Sequence, residues 1–238
     1  MVTVIPVVIG QFSRSAGHPV APTVGDMNTF DSVVLEVADV AAATRFYSAL
    51  LGSDSPYVRL RASQDPTSGF RGFALSLVVS QPGNADALIG AALDAGGTVL
   101  KPASKSLWGY GGVVQAPDGT IVKVATSAKK DTMPVTRDVG ELVVLLGVED
   151  VKASKEFYAG RGLRVGKSYG SRYVEFAADP GHVKLALYKR RALAKDVGVS
   201  AEGTGSHRLV LFGAAGPCLD PDGFAWQASA SAPMTATA

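Results

Sequence analysis

The chain has 238 residues, of which 47% are hydrophobic and 18% are charged, and its formal net charge is +2. This is an ordinary globular composition with enough apolar material for a core. No basic cluster is longer than the triplet 189–191, so nucleic acid is not expected as a partner. No apolar run approaches the roughly 20 residues of a membrane span, so no membrane partner is expected. The single cysteine, Cys218, cannot form an internal disulfide, which is typical of a cytoplasmic protein.

Residues 1–27 are predicted to be an N-terminal extension, because residues 10–27 are rich in Gly, Pro, Ser and Thr. The apolar segment 2–9 could instead add an edge strand to a sheet. Arg14 follows this segment rather than preceding it, which is the wrong order for a secretory signal. Met27 as the biological start is a further alternative that the sequence leaves open.

Residues 28–127 are predicted to form a first module that begins with a strand and a helix. Strand-forming residues at 30–37 are followed by Asp39, a helix N-cap candidate, and by apolar residues at helical spacing over 41–51. The remaining elements of this module are predicted as strands at 58–62 and 73–80, a helix at 84–95, and strands at 113–115 and 121–126.

A polar linker at residues 128–139 leads to a second, shorter module at 140–230, followed by a tail at 231–238. No counterpart of the helix at 84–95 is expected in this module, and a short helix at 192–196 lies just before the point where it would be. The other predicted elements are a strand at 141–148, a helix at 151–161, and strands at 173–177, 183–188, 209–212 and after Gly223.

Two phrases recur in the chain in the same order. Residues 35–47 return as residues 146–158, at an offset of 111 positions, and both copies end in Phe-Tyr. The turn Pro-Asp-Gly at 117–119 returns at 221–223, at an offset of 104. A repeat of about 100 residues indicates two copies of one module rather than a solenoid. The order of elements predicts an α+β class, with two tandem modules whose sheets form a cleft, a preferred ligand site.

The phrases Leu-x-Val-x-Asp with Phe-Tyr, and Pro-Asp-Gly before the last strand, resemble those of the vicinal oxygen chelate superfamily. Residues 108–112 also resemble the loop before that turn in many glyoxalase-like proteins. The superfamily includes glyoxalase I, extradiol dioxygenases and bleomycin-resistance proteins. The resemblance implies two tandem βαβββ glyoxalase-like modules over about residues 28–230.

In metal-using members, each module supplies one metal ligand from its first strand, usually His, and one from its last, usually Glu. The corresponding positions here hold Ser32, Lys123, Val143 and Gln227. A protonated lysine repels a cation and valine offers no lone pair, so we expect neither the standard metal nor another cofactor. A non-standard metal site that uses Glu36, Glu141 or a histidine stays open.

The resemblance makes Lys123 and Glu36 the candidate catalytic residues, because the first could bind an anion or exchange a proton. Alternatively, these two side chains simply pair with each other. The candidate ligand-binding residues are Ser32, Val143, Gln227 and the loop aromatics Trp108 and Tyr110. The alternatives are that Gln227 packs beside Trp226 and that the two aromatics fill the cleft.

The favoured function is that of a cytoplasmic glyoxalase/bleomycin-resistance-like protein, which binds a small, mostly apolar molecule in the inter-module cleft without a metal. The alternative is a lyase, isomerase or dioxygenase with a relocated metal or a metal-free acid–base mechanism. A third reading is a protein–protein module with a filled cleft. Pairing of the modules within one chain or across a homodimer also stays open.

Overall fold

The computed structural model of the chain describes residues 30–179, 183–213 and 215–228. The predicted N-terminal extension and C-terminal tail lie outside these residues. Residues 28 and 29 of the first predicted module and residues 229 and 230 of the second also lie outside them. The described helices are α1 (Val40–Leu51), α2 (Pro82–Asp94), α3 (Val151–Ala159) and α4 (Arg190–Val197). The described strands are β1 (Phe30–Val37), β2 (Val58–Ala62), β3 (Thr67–Gly69), β4 (Phe73–Val78), β5 (Thr98–Ser106), β6 (Gly109–Gln115), β7 (Ile121–Thr126), β8 (Glu141–Val148), β9 (Val165–Ser168), β10 (Tyr173–Phe176), β11 (Lys184–Lys189), β12 (Gly203–Gly205), β13 (Leu209–Gly213), β14 (Cys218–Leu219) and β15 (Ala225–Gln227).

The larger sheet has eight strands in the order β5-β6-β7-β4-β8-β11-β10-β9. Each half is one complete βαβββ unit, in which the first strand pairs in parallel with the last, β4 with β7 and β8 with β11. Each parallel pair requires a crossover connection, which contains α2 in the first unit and α3 in the second. The halves join where β4 and β8 pair antiparallel at the centre of the sheet.

The smaller sheet has five strands in the order β14-β15-β13-β1-β2. Strand β1, from the first copy, pairs antiparallel with β13, from the second copy, and β1 pairs in parallel with β2. Only four residues separate β13 from β14, too few for a helix, so the expected loss of that helix is confirmed. The α+β class and the tandem arrangement are confirmed, and both main sheets combine strands from both copies.

The repeated phrases begin the corresponding helices in the same way. The Asp39 carboxylate accepts a hydrogen bond from the Ala42 N–H at 2.9 Å, as an N-cap does. In the second copy, Asp150 accepts from the N–H groups of Lys152 and Ala153 at 2.9 and 3.2 Å. The predicted cap at Asp39 is confirmed, and the Asp of the repeated phrase has a structural role in both copies.

The tyrosine that ends each copy of the first phrase holds its helix against the second phrase. The Tyr47 hydroxyl donates to Asp118 at 3.0 Å, and the Tyr158 hydroxyl donates to Asp220 at 2.5 Å. Trp226 in turn donates its indole N–H to the Tyr158 oxygen at 3.1 Å. The two phrases therefore recur together because each helix and the turn before each last strand are joined by a buried hydrogen bond.

The apolar core lies on both faces of the eight-stranded sheet. The larger cluster combines residues from both main sheets with residues of α1, α2 and α3. The smaller cluster lies on the opposite face of the eight-stranded sheet and includes Leu193, Ala194 and Val197 of α4. Helix α4 therefore covers a sheet face that the other three helices leave free.

Candidate functional site

The candidate site is the sheet face under α4, which we call the inner face and define by Ser76, Lys123, Val143 and Lys184. These residues form one row across the four central strands, because Ser76 is in register with Lys123 and Val143, and Val143 with Lys184. The four strands are the first and last strands of the two βαβββ units. In metal-using members of the superfamily, the metal ligands lie on the first and last strands of each module. This row therefore occupies the position that corresponds to their metal site.

The donor set of this row does not fit a divalent metal. Two members are lysines, one is a valine and one is a serine, whereas such metals prefer imidazole, carboxylate or thiolate. The nearest carboxylates are engaged with lysine, because Lys184 lies 2.5 Å from Glu141 and 3.8 Å from Glu175. Within the described residues, no group of three His, Cys, Asp or Glu side chains is placed to hold a metal ion.

Lys123 forms an ion pair with Asp196, the residue before the last one of α4. Their Nζ and Oδ2 atoms are 2.6 Å apart, and the two side chains are 19% and 11% exposed. The sequence suggested Glu36 as the structural partner of Lys123, but Glu36 instead pairs with Arg61 at 2.6 Å. The cation of the row is therefore neutralised by the helix that covers the inner face.

Further polar contacts hold both ends of α4. Lys101 donates from Nζ to the carbonyl oxygens of Lys195 and Asp196, at 3.1 and 2.6 Å. A helix C-terminus carries partial negative charge, so this ammonium group is well placed. At the other end, Arg190 donates to the carbonyl oxygens of Phe70 and Ala201. Helix α4 was predicted at 192–196, so its existence is confirmed with slightly wider bounds.

Apolar surroundings bury the two uncharged members of the row, whereas the side chains of Lys123 and Lys184 stay 19% and 24% exposed. Val143 and Ser76 are fully buried, and the Ser76 hydroxyl has no hydrogen-bond partner. Burial and the nearby Asp196 and Glu175 carboxylates raise the pKa of Tyr188, so its phenol stays protonated. A buried hydroxyl without a partner is costly, so the Ser76 hydroxyl is a candidate contact for a bound molecule.

A small cavity opens beside α4, where the inner face meets the segment after the helix. Its volume is about 250 Å³, and Phe70 and Ile121 line it from the sheet side, with Val199 and Glu202 from the other. Ligand pockets usually begin at about 300 Å³, so the cavity alone suits a very small molecule.

The predicted site residues divide between the two main sheets. Lys123 and Val143 lie on the eight-stranded sheet, whereas Ser32 and Glu36 lie on β1 and Gln227 lies on β15 of the five-stranded sheet. Ser32 accepts a hydrogen bond from Arg59 at 3.0 Å. The structure therefore brings Lys123 and Val143 together on one sheet, and on the other sheet it aligns Ser32 with Gln227 across Phe212.

The two predicted loop aromatics lie away from the inner face. Trp108 is 47% exposed in the turn between β5 and β6. Tyr110 packs against the larger core cluster, and its hydroxyl donates to Asp86 of α2 at 2.7 Å. A role for either residue in ligand binding stays a prediction.

Sequence reasoning missed three members of the site, Ser76, Lys184 and Asp196. Ser76 is the only hydroxyl in a strand that otherwise consists of Phe, Ala, Leu and Val, and a polar residue in such a strand is the signal that was available. Asp196 lies in the predicted short helix, but nothing local in the sequence indicates which face that helix covers.

Two βαβββ units joined through their first strands, with a second sheet built by the same two copies, define the vicinal oxygen chelate fold. The structure is similar to that of glyoxalase I from Zea mays, with 16% identity, 83% of this chain and 90% of that chain covered, and a TM-score of 0.53. A glyoxalase/bleomycin resistance protein/dioxygenase family enzyme from Burkholderia phytofirmans PsJN matches at 18% identity, over 42% of this chain and 98% of its own, with a TM-score of 0.38.

No protein-family model matches the sequence, and no curated protein matches it either. The predicted superfamily fold is confirmed, whereas activity has to be argued from the site, because one fold serves many functions. In the described residues, no helix is long and apolar enough to cross a membrane.

Proposed function

We propose that the chain is a glyoxalase-like protein that binds a small, mostly apolar molecule on the inner face without the standard metal. The observation that carries this proposal is the row of Lys123, Ser76, Val143 and Lys184 on the strands where the superfamily holds its metal. Two ammonium groups repel a cation, and the valine and the serine cannot compensate for them.

The chemistry of the inner face favours an apolar ligand that carries few polar groups. Valine, leucine, alanine and tyrosine side chains form most of the smaller core cluster on this face. Specific polar groups within an apolar lining are typical of small-molecule sites. We place the protein in the cytoplasm because Cys218 has no internal partner cysteine.

The enzyme alternative requires Lys123, Glu36 and Gln227 to act on one substrate. These residues belong to different sheets, and Glu36 is held by Arg61. Acid–base groups must lie within hydrogen-bond reach of the reacting atoms, so this arrangement does not favour a shared reaction.

Elemental mass spectrometry of the untagged protein, combined with thermal unfolding in Zn²⁺, Ni²⁺ or Mn²⁺, tests the metal-free site. We expect no stoichiometric metal and no metal-dependent rise in the unfolding midpoint. The variant Ser76→His/Lys123→Glu/Val143→His/Lys184→Glu is the positive control, because it removes both ammonium groups and aligns two imidazoles and two carboxylates in one row, a donor set that suits Zn²⁺.

Stoichiometric metal in the wild-type protein, with a higher midpoint on its addition, would contradict the proposal. The binding role is tested by a thermal-shift screen of small neutral and anionic apolar compounds. A screen without a hit, together with metal-dependent turnover, would favour the enzyme alternative.

A further inference from the structure

Helix α4 lies on the surface that the proposed ligand needs, so the chain itself occupies its binding face. The side chains of Leu193 and Val197 are completely buried there, and Ala194 is nearly so. They share one apolar cluster with Val143 and Leu145 of β8. A ligand on this face must therefore replace the apolar contacts of α4.

The helix also presents a carboxylate to the row. Asp196 meets the Lys123 ammonium at 2.6 Å, in the ion pair described above. Lys101 lies at the same end of the helix and donates to two of its carbonyl oxygens. The C-terminal half of α4 thus combines an apolar side and one anionic group, and both face the sheet.

Helix α4 has little stability of its own. The helix has eight residues, its N-cap residue Lys189 makes no side-chain capping bond, and Gly198 ends it in a left-handed conformation at φ 84°. A helix this short is not stable alone in water, so its folding depends on the contacts with the inner face. A molecule that replaces these contacts can therefore displace α4 while the sheet stays folded.

Ser76 supplies an independent indication of a ligand. Its hydroxyl is fully buried, is in register with Lys123 on the neighbouring strand, and has no hydrogen-bond partner while α4 is in place. A hydroxyl beside an ammonium group forms a matched pair of donors for one carboxylate. Asp196 satisfies only the ammonium member of that pair.

We propose that α4 is an internal substitute for the ligand, and that the ligand is an amphipathic monocarboxylate that displaces it. This inference rests on the proposed function, since it names the class of molecule that the same face binds. The ligand carboxylate takes the place of Asp196 beside Lys123 and also accepts a hydrogen bond from the Ser76 hydroxyl. Its apolar body takes the place of Leu193, Ala194 and Val197.

The size of the replaced surface indicates a suitable probe. The buried side chains of Leu193, Ala194 and Val197 together contain about eight carbon atoms. Nonanoate has the same number of carbon atoms beyond its carboxylate, and 1-nonanol is a neutral compound of the same length. Comparing the two compounds separates the carboxylate contribution from apolar binding.

Isothermal titration of nonanoate and nonanol into the full chain at pH 7.5 is the first test. We expect nonanoate to bind wild type more tightly than nonanol. Asp196→Asn should raise nonanoate affinity by about tenfold or more, because the apparent affinity depends on the fraction of chains with α4 displaced. Lys123→Met should abolish the preference for nonanoate, and Ser76→Ala should reduce it. Lys152→Met, on the exposed side of α3, is the matched control and should change neither affinity.

Hydrogen exchange gives a second readout that needs no variant. Saturating nonanoate should speed exchange of the α4 amides by about tenfold or more, while the amides of β8 stay protected. Slower exchange in α4 would mean that the ligand binds without displacing the helix, and would overturn the inference. Equal affinity for nonanoate and nonanol would overturn the assignment of a carboxylate ligand but leave apolar binding intact. Metal-dependent turnover would overturn the proposed function itself.

Discussion

Replacing Tyr158 by phenylalanine is expected to lower the free energy of unfolding by about 2–4 kcal/mol. The lost hydroxyl donates to the Asp220 carboxylate at 2.5 Å and accepts the Trp226 indole N–H at 3.1 Å. The indole N–H and the Oδ2 atom of Asp220 would stay buried without these partners, although Asp220 Oδ1 keeps two backbone N–H donors. An unpaired buried atom costs more than the average hydrogen bond contributes. Urea unfolding followed by circular dichroism measures the change.

Two matched substitutions show whether the loss arises from this hydrogen bond. Tyr47→Phe removes the corresponding bond in the first copy, but Asp118 keeps the Thr120 hydroxyl and the nearby Arg71, so we expect a smaller loss of about 1–2 kcal/mol. Tyr169→Phe removes a half-exposed hydroxyl and should change stability by less than about 0.5 kcal/mol. Equal effects of all three substitutions would contradict the assigned role of Tyr158.

The loss at Tyr158 should also depend on pH. Burial raises the pKa of Asp220 above its ordinary value of 3.8, and the Tyr158 hydrogen bond opposes that rise. The folded protein then holds a proton that the unfolded chain has released, so the free energy of unfolding falls as the pH rises from about 4 through the raised pKa. Without the hydroxyl, the pKa of Asp220 rises further. The difference between wild type and Tyr158→Phe should therefore widen with pH over this window.

Local sequence patterns predicted most elements, and they failed where tertiary contacts decide. Strand β1 and its helix follow from apolar spacing and the cap at Asp39. Strand β5 was missed because its sequence is polar and contains Pro102, which a mostly exposed edge strand tolerates. The glycines after Trp108 suggested a loop but lie in strand β6. A Cβ at Gly111 would lie 2.3 Å from the Val124 carbonyl oxygen of the neighbouring strand, so the glycine at this position allows the two strands to pack closely.

The site was harder to predict than the elements, because strand exchange between the copies is a long-range property. The sequence analysis placed Ser32, Lys123, Val143 and Gln227 together in one cleft between the two copies. The pairing of β4 with β8 instead places Lys123 in a row with Val143, while β1 carries Ser32 to the other sheet. No local pattern distinguishes these pairings, since all of these strands are largely buried on both faces.

Replacing Lys123 by methionine is expected to lower the free energy of unfolding by about 2–3 kcal/mol. The Asp196 carboxylate would then remain between α4 and the sheet without its ion-pair partner. This expected loss is smaller than the roughly 3–5 kcal/mol typical of fully buried pairs, because both side chains keep some contact with water. The double variant Lys123→Met/Asp196→Leu should recover most of the loss, since an apolar pair of similar volume needs no compensating charge.

Urea unfolding of the wild type, both single variants and the double variant gives the coupling free energy between the two positions. We expect at least about 1.5 kcal/mol for this pair, compared with less than about 0.5 kcal/mol for the exposed Lys152–Glu156 pair measured in the same way. A coupling near zero would mean that apolar packing and the hydrogen bonds from Lys101 and Arg190 hold α4 on the sheet without help from this ion pair. The Asp196 carboxylate would then have no energetic role on the inner face, and a competing carboxylate would gain nothing by replacing it.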